Sequence, residues 1–168
     1  MENYSSYTIK RSKAFLSLGP KYELFDEDDE QLFLIEKGMV SGNWTFYSDS
    51  IAKNEEYSLA CSRFKRKSEL TDLETGEKTC LFEKKGFLSS KWRIIDLESN
   101  RQFEARHSFW SKNKVTVYQG KKVVAKYNLS NMLGFKLKIE LIGEELPIDA
   151  ALSFAVNLIN YVYQQSRI

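Results

Sequence analysis

The chain of 168 residues suits one domain, since two domains within this length would each have a thin core. A composition that is 42% hydrophobic and 29% charged excludes a disordered polymer, and the lack of any apolar run near 18 residues excludes a conventional helical membrane span. The start, Met1 to Ser6, has neither the basic nor the apolar segment of a secretory leader, and Cys61 and Cys80 stand in no metal-binding spacing, so a reducing, cytoplasmic setting is expected.

The residue supply favours strands: 11 Phe, 9 Tyr and 3 Trp stand against only 8 Gly and 2 Pro. In chain order, Tyr22-Glu23-Leu24-Phe25 runs into Asp26 and Leu32-Phe33-Leu34-Ile35 returns. Trp44 to Tyr47 reaches Asp49 and returns through Tyr57 to Cys61; Glu69 to Thr71 reaches Asp72 and returns through Cys80 to Phe82. Trp92 to Ile95 reaches Asp96 and returns through Phe103 to Ala105; Val115 to Tyr118 turns at Gln119-Gly120 and returns through Val123 to Ala125. Phe135 to Leu141 ends at Gly143. The markers Asp26, Asp49, Asp72, Asp96, Gly120 and Gly143 recur every 23 or 24 residues. Asp caps a turn through its side chain and Gly supplies positive φ, so a regular series of hairpins with period-2 patterning predicts an antiparallel meander or barrel. The segment Phe15-Leu16-Ser17-Leu18-Gly19-Pro20-Lys21-Tyr22 is echoed by Phe87-Leu88-Ser89-Ser90-Lys91-Trp92, and both lead to an Asp turn.

The tail changes character. Pro147 and Asp149 open a helix expected over about residues 149–163, apolar at almost every position and so buried on most sides. Asp149, Ser153, Asn157, Asn160 and Gln164 form one narrow polar stripe along it. Its length of about 20–25 Å is too short for a bilayer and sufficient to fill a barrel.

These elements together, with a Phe-Leu-Ser lead into aromatic-x-apolar-x-Asp hairpins and a very apolar C-terminal helix, resemble the tubby C-terminal superfamily. The LURP-one-related branch, which is also similar to phospholipid scramblases and small bacterial tubby-like proteins, is the nearest. The resemblance implies an all-β fold: a closed antiparallel barrel of about twelve strands, over about residues 7–143, wrapping a hydrophobic C-terminal helix. It runs from about Tyr7 to Tyr163 and makes residues 1–168 one domain. What it implies for function is divided, because tubby domains bind phosphoinositide headgroups through basic barrel residues, scramblases are associated with lipid movement and calcium, and small members have no established activity. No phosphoinositide motif aligns onto this chain residue by residue, and the Cys-rich and Pro-rich segments of scramblases are absent from the sequence, which argues against scramblase activity.

Chemical motifs are sparse. His107 stands in a strand with no partner constellation, and Cys61 and Cys80 lie among apolar strand residues, as inert buried thiols do. The run Asp26 to Glu30 has neither the glycine nor the glutamate of a calcium loop in either register, so a solvated hairpin tip is expected. No phosphate-loop, dinucleotide or zinc-protease motif occurs. The expectation is a non-enzyme with no cofactor and no metal.

Charge supplies the best lead. Between Glu104 and Glu140 there is no Asp or Glu, while Arg106, Lys112, Lys114, Lys121, Lys122, Lys126, Lys136 and Lys138 all fall there. The net charge of +2 therefore conceals a basic interval inside an otherwise acidic chain, with Arg63 to Lys67 as a second basic cluster and Asp26 to Glu30 as the acidic pole. Strand alternation puts Lys112, Lys114, Thr116 and Tyr118 on one face; Lys122, Val124, Lys126 and Asn128 on another; and Lys136, Lys138 and Glu140 opposite Phe135, Leu137, Ile139 and Leu141. With the apolar sets inward, Lys112, Lys114, Lys122, Lys126, Lys136 and Lys138 form an outward anion-recognising patch, which competes with the plain alternative of a solvated lysine-rich surface. The sequence-level expectation is a cytoplasmic binding protein, peripheral at a membrane, whose partner is anionic phospholipid. A protein-interaction module is the alternative, and nucleic acid, stacked on Trp110, Tyr118 and Tyr127, carries less weight.

Overall fold

The computed structural model describes residues 3–12, 19–49, 51–62, 66–85, 91–108, 111, 113–130 and 135–165, with the side chains of 162–165 excepted. Twelve strands precede one helix: β1 (Tyr4–Arg11), β2 (Lys21–Phe25), β3 (Gln31–Lys37), β4 (Trp44–Tyr47), β5 (Glu55–Ser62), β6 (Lys67–Asp72), β7 (Lys78–Lys85), β8 (Lys91–Asp96), β9 (Arg101–His107), β10 (Lys114–Gln119), β11 (Lys122–Ser130), β12 (Lys136–Ile142) and α1 (Ile148–Gln165). Each strand pairs antiparallel with its successor, and β12 returns to β1 over Tyr4↔Ile142 to Lys10↔Lys136, closing the barrel. Closure removes the exposed sheet edge that an open meander would carry.

The regular turns have a common local cause. Asp26 Oδ1 accepts from the N–H groups of Asp28 and Glu30 at 2.9 Å each, Asp49 Oδ1 from Ile51 at 2.7 Å, Asp72 Oδ1 from Glu74 at 2.8 Å, and Asp96 Oδ1 from Glu98 at 3.2 Å. Each carboxylate supplies the acceptor that a turning backbone lacks. At the fifth turn Gly120 has φ 61° and takes over the same task by conformation. The acidic run at Asp26 is accordingly a hairpin tip.

Inward positions fill the barrel together with α1. Every residue from 151 to 159 is buried, among them Ala151, Phe154, Ala155 and Leu158. Phe154 stacks on Phe82 with ring centroids 6.0 Å apart and receives the edges of Trp92 and Tyr127 at 5.9 and 5.4 Å. Tyr127 is anchored by donating its hydroxyl to the Ala151 carbonyl at 2.7 Å. The helix begins one residue earlier than its polar stripe suggests, directly after Pro147, and β1 starts at Tyr4 rather than near residue 7.

The polar stripe lies against the first half of the barrel. Ser153 donates back to the Asp149 carbonyl, as a hydroxyl one helical turn on can do. Asn157 Oδ1 accepts from Ser68 at 2.7 Å and faces the Cys61 thiol at 3.8 Å; Asn160 Oδ1 accepts from Lys37 and Trp44 at 3.2 and 3.3 Å. The last turn of α1 has no basic residue of its own, and Lys37 and Lys84 reach Asn160 and Tyr161 from the barrel wall. Cations there complement the negative end of the helix.

Up-and-down topology sorts the connections into two ends. The Asp and Gly turns and the start of α1 share one end. The connections spanning 12–20, 38–43, 63–66, 86–90, 108–113 and 131–135 leave from the other, and none of these six contains an Asp or Glu. The carboxylates of the connections are thus confined to one end of the barrel axis. The Phe-Leu-Ser segments lie outside the described residues, but the strands they precede, β2 and β8, stand on opposite sides of the twelve-strand ring.

Candidate functional site

Strands β10, β11, β12 and β1 form one wall of the barrel, and their register fixes which cations meet. Inward, Val115, Val117, Tyr127, Leu137, Ile139 and Leu141 are buried. Outward, Thr116 pairs with Lys126, which pairs with Glu140; Lys114 pairs with Asn128, which pairs with Lys138; Ser130 pairs with Lys136, which pairs with Lys10. Lys114, Lys126, Lys136, Lys138 and Lys10 therefore share one exposed surface about 13 Å along the strands and about 14 Å across four of them.

Glu140 lies within the wall, and Glu104 on β9 and Glu23 on β2, opposite Lys10, flank it. Glu140 takes Lys138 at 3.3 Å, and its carboxyl is held below the usual range, first by the Tyr4 hydroxyl and then by Lys138 and Lys126. Glu104 pairs with Arg106 and with Lys85 at 3.3 Å, and the Arg106 hydrogen bond lowers it most. Lys114, Lys126 and Lys136 have no ion-pair partner among the described residues. The wall is convex and solvated, so it suits a broad anionic surface or flexible phosphate groups rather than an enclosed substrate.

Three expectations need correction. Val124 does not share the outward face with Lys122 and Lys126: the β10–β11 register slips between Val117 and Tyr118, and Val124 and Ala125 are both buried. This bulge, one extra residue on β11, reverses the alternation, so Lys122 does not join Lys126. It sits instead at the Asp-turn end and binds Glu145 at 2.6 Å. Tyr127 is no stacking platform, because it is only 2% exposed inside the barrel. Tyr118 remains at the surface with the Arg106 guanidinium 5.0 Å from its ring centre, while Trp110, Lys112 and the Arg63–Lys65 part of the second basic cluster lie outside the described residues. Within that cluster Lys67 is paired with Glu83 at 3.2 Å.

Lys10 is the cation that the sequence reading missed. It stands 126 positions from Lys136 and is brought to it only by barrel closure. A visible signal existed in the alternation of Tyr7, Ile9 and Thr8, Lys10, which is that of a half-buried strand.

The remaining candidates carry little chemistry. Both cysteines are free; burial is the main cause that raises each thiol above its ordinary value, as in inert thiols. His107 lines a slot of only about 20 Å³ with Asn113 and Val115, room for about one water.

The architecture defines a class: a closed twelve-strand antiparallel barrel around a C-terminal helix. No family model and no curated protein matches the sequence. The X-ray structure of protein AT5G01750 from Arabidopsis thaliana has the same fold, with a TM-score of 0.58 and 11% identity over 94% of this chain and 89% of that one. At that identity the likeness is one of fold alone. Among the described residues no helix is long and apolar enough to cross a membrane.

Proposed function

We propose that the chain is a tubby-like, LURP-one-related barrel that acts without catalysis, docking on anionic phospholipid through the β10–β11–β12–β1 wall and the adjoining carboxylate-free end. The likeness to the Arabidopsis structure supports the fold part of this reading. The observation that carries the functional part is the direct pairing of Lys10 with Lys136, beside Lys114, Lys126 and Lys138 on one surface. Like charges directly opposed across a sheet are destabilising, so a fold that keeps them there favours an anion that binds them.

The neighbouring end adds apolar contact. Met39 and Val40, in the β3–β4 turn, are 71% and 102% exposed, and no carboxylate in the six connections of that end would repel an anionic headgroup layer. Ile51 at the opposite end is equally exposed, so charge rather than apolarity distinguishes the two. Each basic residue near such a layer contributes about 1 kcal/mol, and an inserted apolar side chain adds to that.

The test is co-sedimentation with vesicles of neutral lipid and with vesicles containing phosphatidylserine or phosphoinositide, each at low and high salt. Binding to the anionic vesicles alone, lost at high salt, supports docking. Absence of binding to any vesicle at low salt overturns it.

A further inference from the structure

We propose that the mouth of the barrel at its carboxylate-rich end is a binding site for a small alkylammonium cation, cupped by Phe33, Phe46 and Tyr57 with the Asp149 carboxylate beside it. The site lies at the end opposite the carboxylate-free one and stands or falls independently of lipid docking.

Phe33, Phe46 and Tyr57 come from the adjacent strands β3, β4 and β5 and face inward in register with buried residues such as Ile35, Trp44 and Leu59. A cavity of about 310 Å³ separates these rings from the first turns of α1 at Ile148, Asp149, Leu152 and Ser153. That volume lies at the lower end of the roughly 300–1,000 Å³ of small-molecule sites. Phe33 and Tyr57 remain half-buried although they point inward, because the gap opens beside them. A gap of this size forfeits packing contacts that a filled core would make.

The three rings are mutually tilted. Their centroids are 6.1, 6.4 and 6.4 Å apart and their planes cross at 83°, 68° and 89°. Such a corner offers ring faces in several directions, the arrangement that attracts an ammonium group with an apolar periphery. The local field has the matching sign. Burial raises the Tyr57 phenol, and the carboxylates of Asp149, Asp72 and Glu56 raise it further. Nearby cations are already engaged: Lys53 by Glu36 at 3.4 Å, Lys78 by Glu69 at 2.8 Å, and Arg101 by Asp96 at 3.6 Å. No described cation pairs with Asp149, a partly buried carboxyl that accepts the Ala150 N–H at 2.9 Å and leaves its charge open to a ligand cation. An anion would be repelled here, and a neutral apolar ligand would leave the carboxylate unused. A bare metal ion would meet aromatic walls, and among the described residues no acidic or sulfur cluster of metal-holding size exists.

The experiment titrates the full chain with choline and with its neutral isostere 3,3-dimethylbutan-1-ol, reading ring and methyl NMR shifts of Phe33, Phe46, Tyr57 and Leu152. Saturable binding of choline at least tenfold tighter than the isostere supports the site, as does a further tenfold loss in Asp149→Asn, a near-isosteric change. Tyr57→Leu, at a half-buried position, should weaken choline by a similar factor while the fold persists. Dodecylphosphocholine in a parallel titration separates the two sources of this chemistry: tighter binding than choline assigns the cup to a lipid headgroup, weaker binding to a free amine. Equal affinity for choline and the isostere, unchanged affinity in Asp149→Asn, or no saturation with any probe overturns the proposal.

Discussion

Lys10 on β1 and Lys136 on β12 are direct cross-strand partners at the seam where the barrel closes, and both are exposed. Like charges so paired work against the fold, although Lys10 also faces Glu23 on β2 and places its ammonium 5.1 Å from the Phe25 ring centre. An exposed opposite-charge pair at such a position contributes about 0.2–1 kcal/mol, and a like pair costs a similar amount. Lys136→Glu is therefore expected to raise the unfolding free energy by about that much at low salt, an effect that shrinks as salt screens the pair. The same variant should bind anionic vesicles more weakly than the unmodified chain. Urea unfolding at two salt concentrations checks the first statement, and stability falling in Lys136→Glu would contradict it.

The core helix sets a larger scale. Phe154 meets Phe82, Trp92 and Tyr127 and is fully buried. Phe154→Ala should cost about 3–5 kcal/mol through lost burial and the cavity left behind. Phe154→Asp, which places an unpaired charge in the same space, should prevent cooperative folding. Denaturant midpoints for Phe154→Ala within 1 kcal/mol of the unmodified chain, by the ~1 kcal/mol scale of ordinary substitutions, would mean that α1 does not fill the barrel.

Ser68 and Asn157 form a buried polar contact between β6 and α1 at 2.7 Å, while the Asn157 Nδ2 has no hydrogen-bond partner among the described residues. Ser68→Ala would leave the Asn157 oxygen facing only the weak Cys61 thiol donor. A loss of about 1–3 kcal/mol is expected, the cost of an unsatisfied buried acceptor. Thermal unfolding of Ser68→Ala at unchanged stability would show that this contact contributes nothing.

Asp149 gives a pH signature. Burial raises its carboxyl above the ordinary 3.8, its hydrogen bond from Ala150 opposes the shift, and Asp96 and Glu98 add to it. The folded chain thus holds this proton more tightly than the unfolded chain does. Its contribution to stability is present below 3.8 and is lost as the pH rises through the raised value. Glu83, Glu104 and Glu140 shift the other way, so the unmodified chain alone mixes both signs. Asp149→Asn isolates the term: its stability advantage over the unmodified chain should grow as pH rises from about 4 and then level off. An advantage that shrinks with rising pH would contradict the assignment.

Much of the fold was legible because its signals are local. An Asp at a hairpin end acts through its own side chain on the next few N–H groups, so Asp26, Asp49, Asp72 and Asp96 marked turns without any tertiary knowledge. The all-round apolarity of 151–159 likewise announced a surrounded helix. What escaped was non-local or depended on a single irregularity. The Lys10–Lys136 contact exists only because the sheet closes, and the bulge at Val124, which sent Lys122 to the other end, leaves no mark in a run of small apolar residues. The aromatic cup was hidden for a different reason: Phe33, Phe46 and Tyr57 read as ordinary inward strand positions, and only the space left by α1 distinguishes them.

The central claim is that a defined wall, rather than net charge, meets the lipid. The most direct measurement compares binding of two triple charge reversals to phosphatidylserine vesicles at low salt. One is Lys114→Glu, Lys126→Glu and Lys136→Glu on the wall; the other is Lys53→Glu, Lys78→Glu and Lys122→Glu at the carboxylate-rich end. Both change net charge equally, and all six side chains are exposed. At about 1 kcal/mol per cation, the wall variant should lose at least roughly a hundredfold in affinity. The other variant should stay within about threefold of the unmodified chain, since its cations stand at the end away from Lys10 and Lys136 and exposed charges are screened over about 8–10 Å at moderate salt. Equal losses from the two variants, with both still folded, would contradict the account.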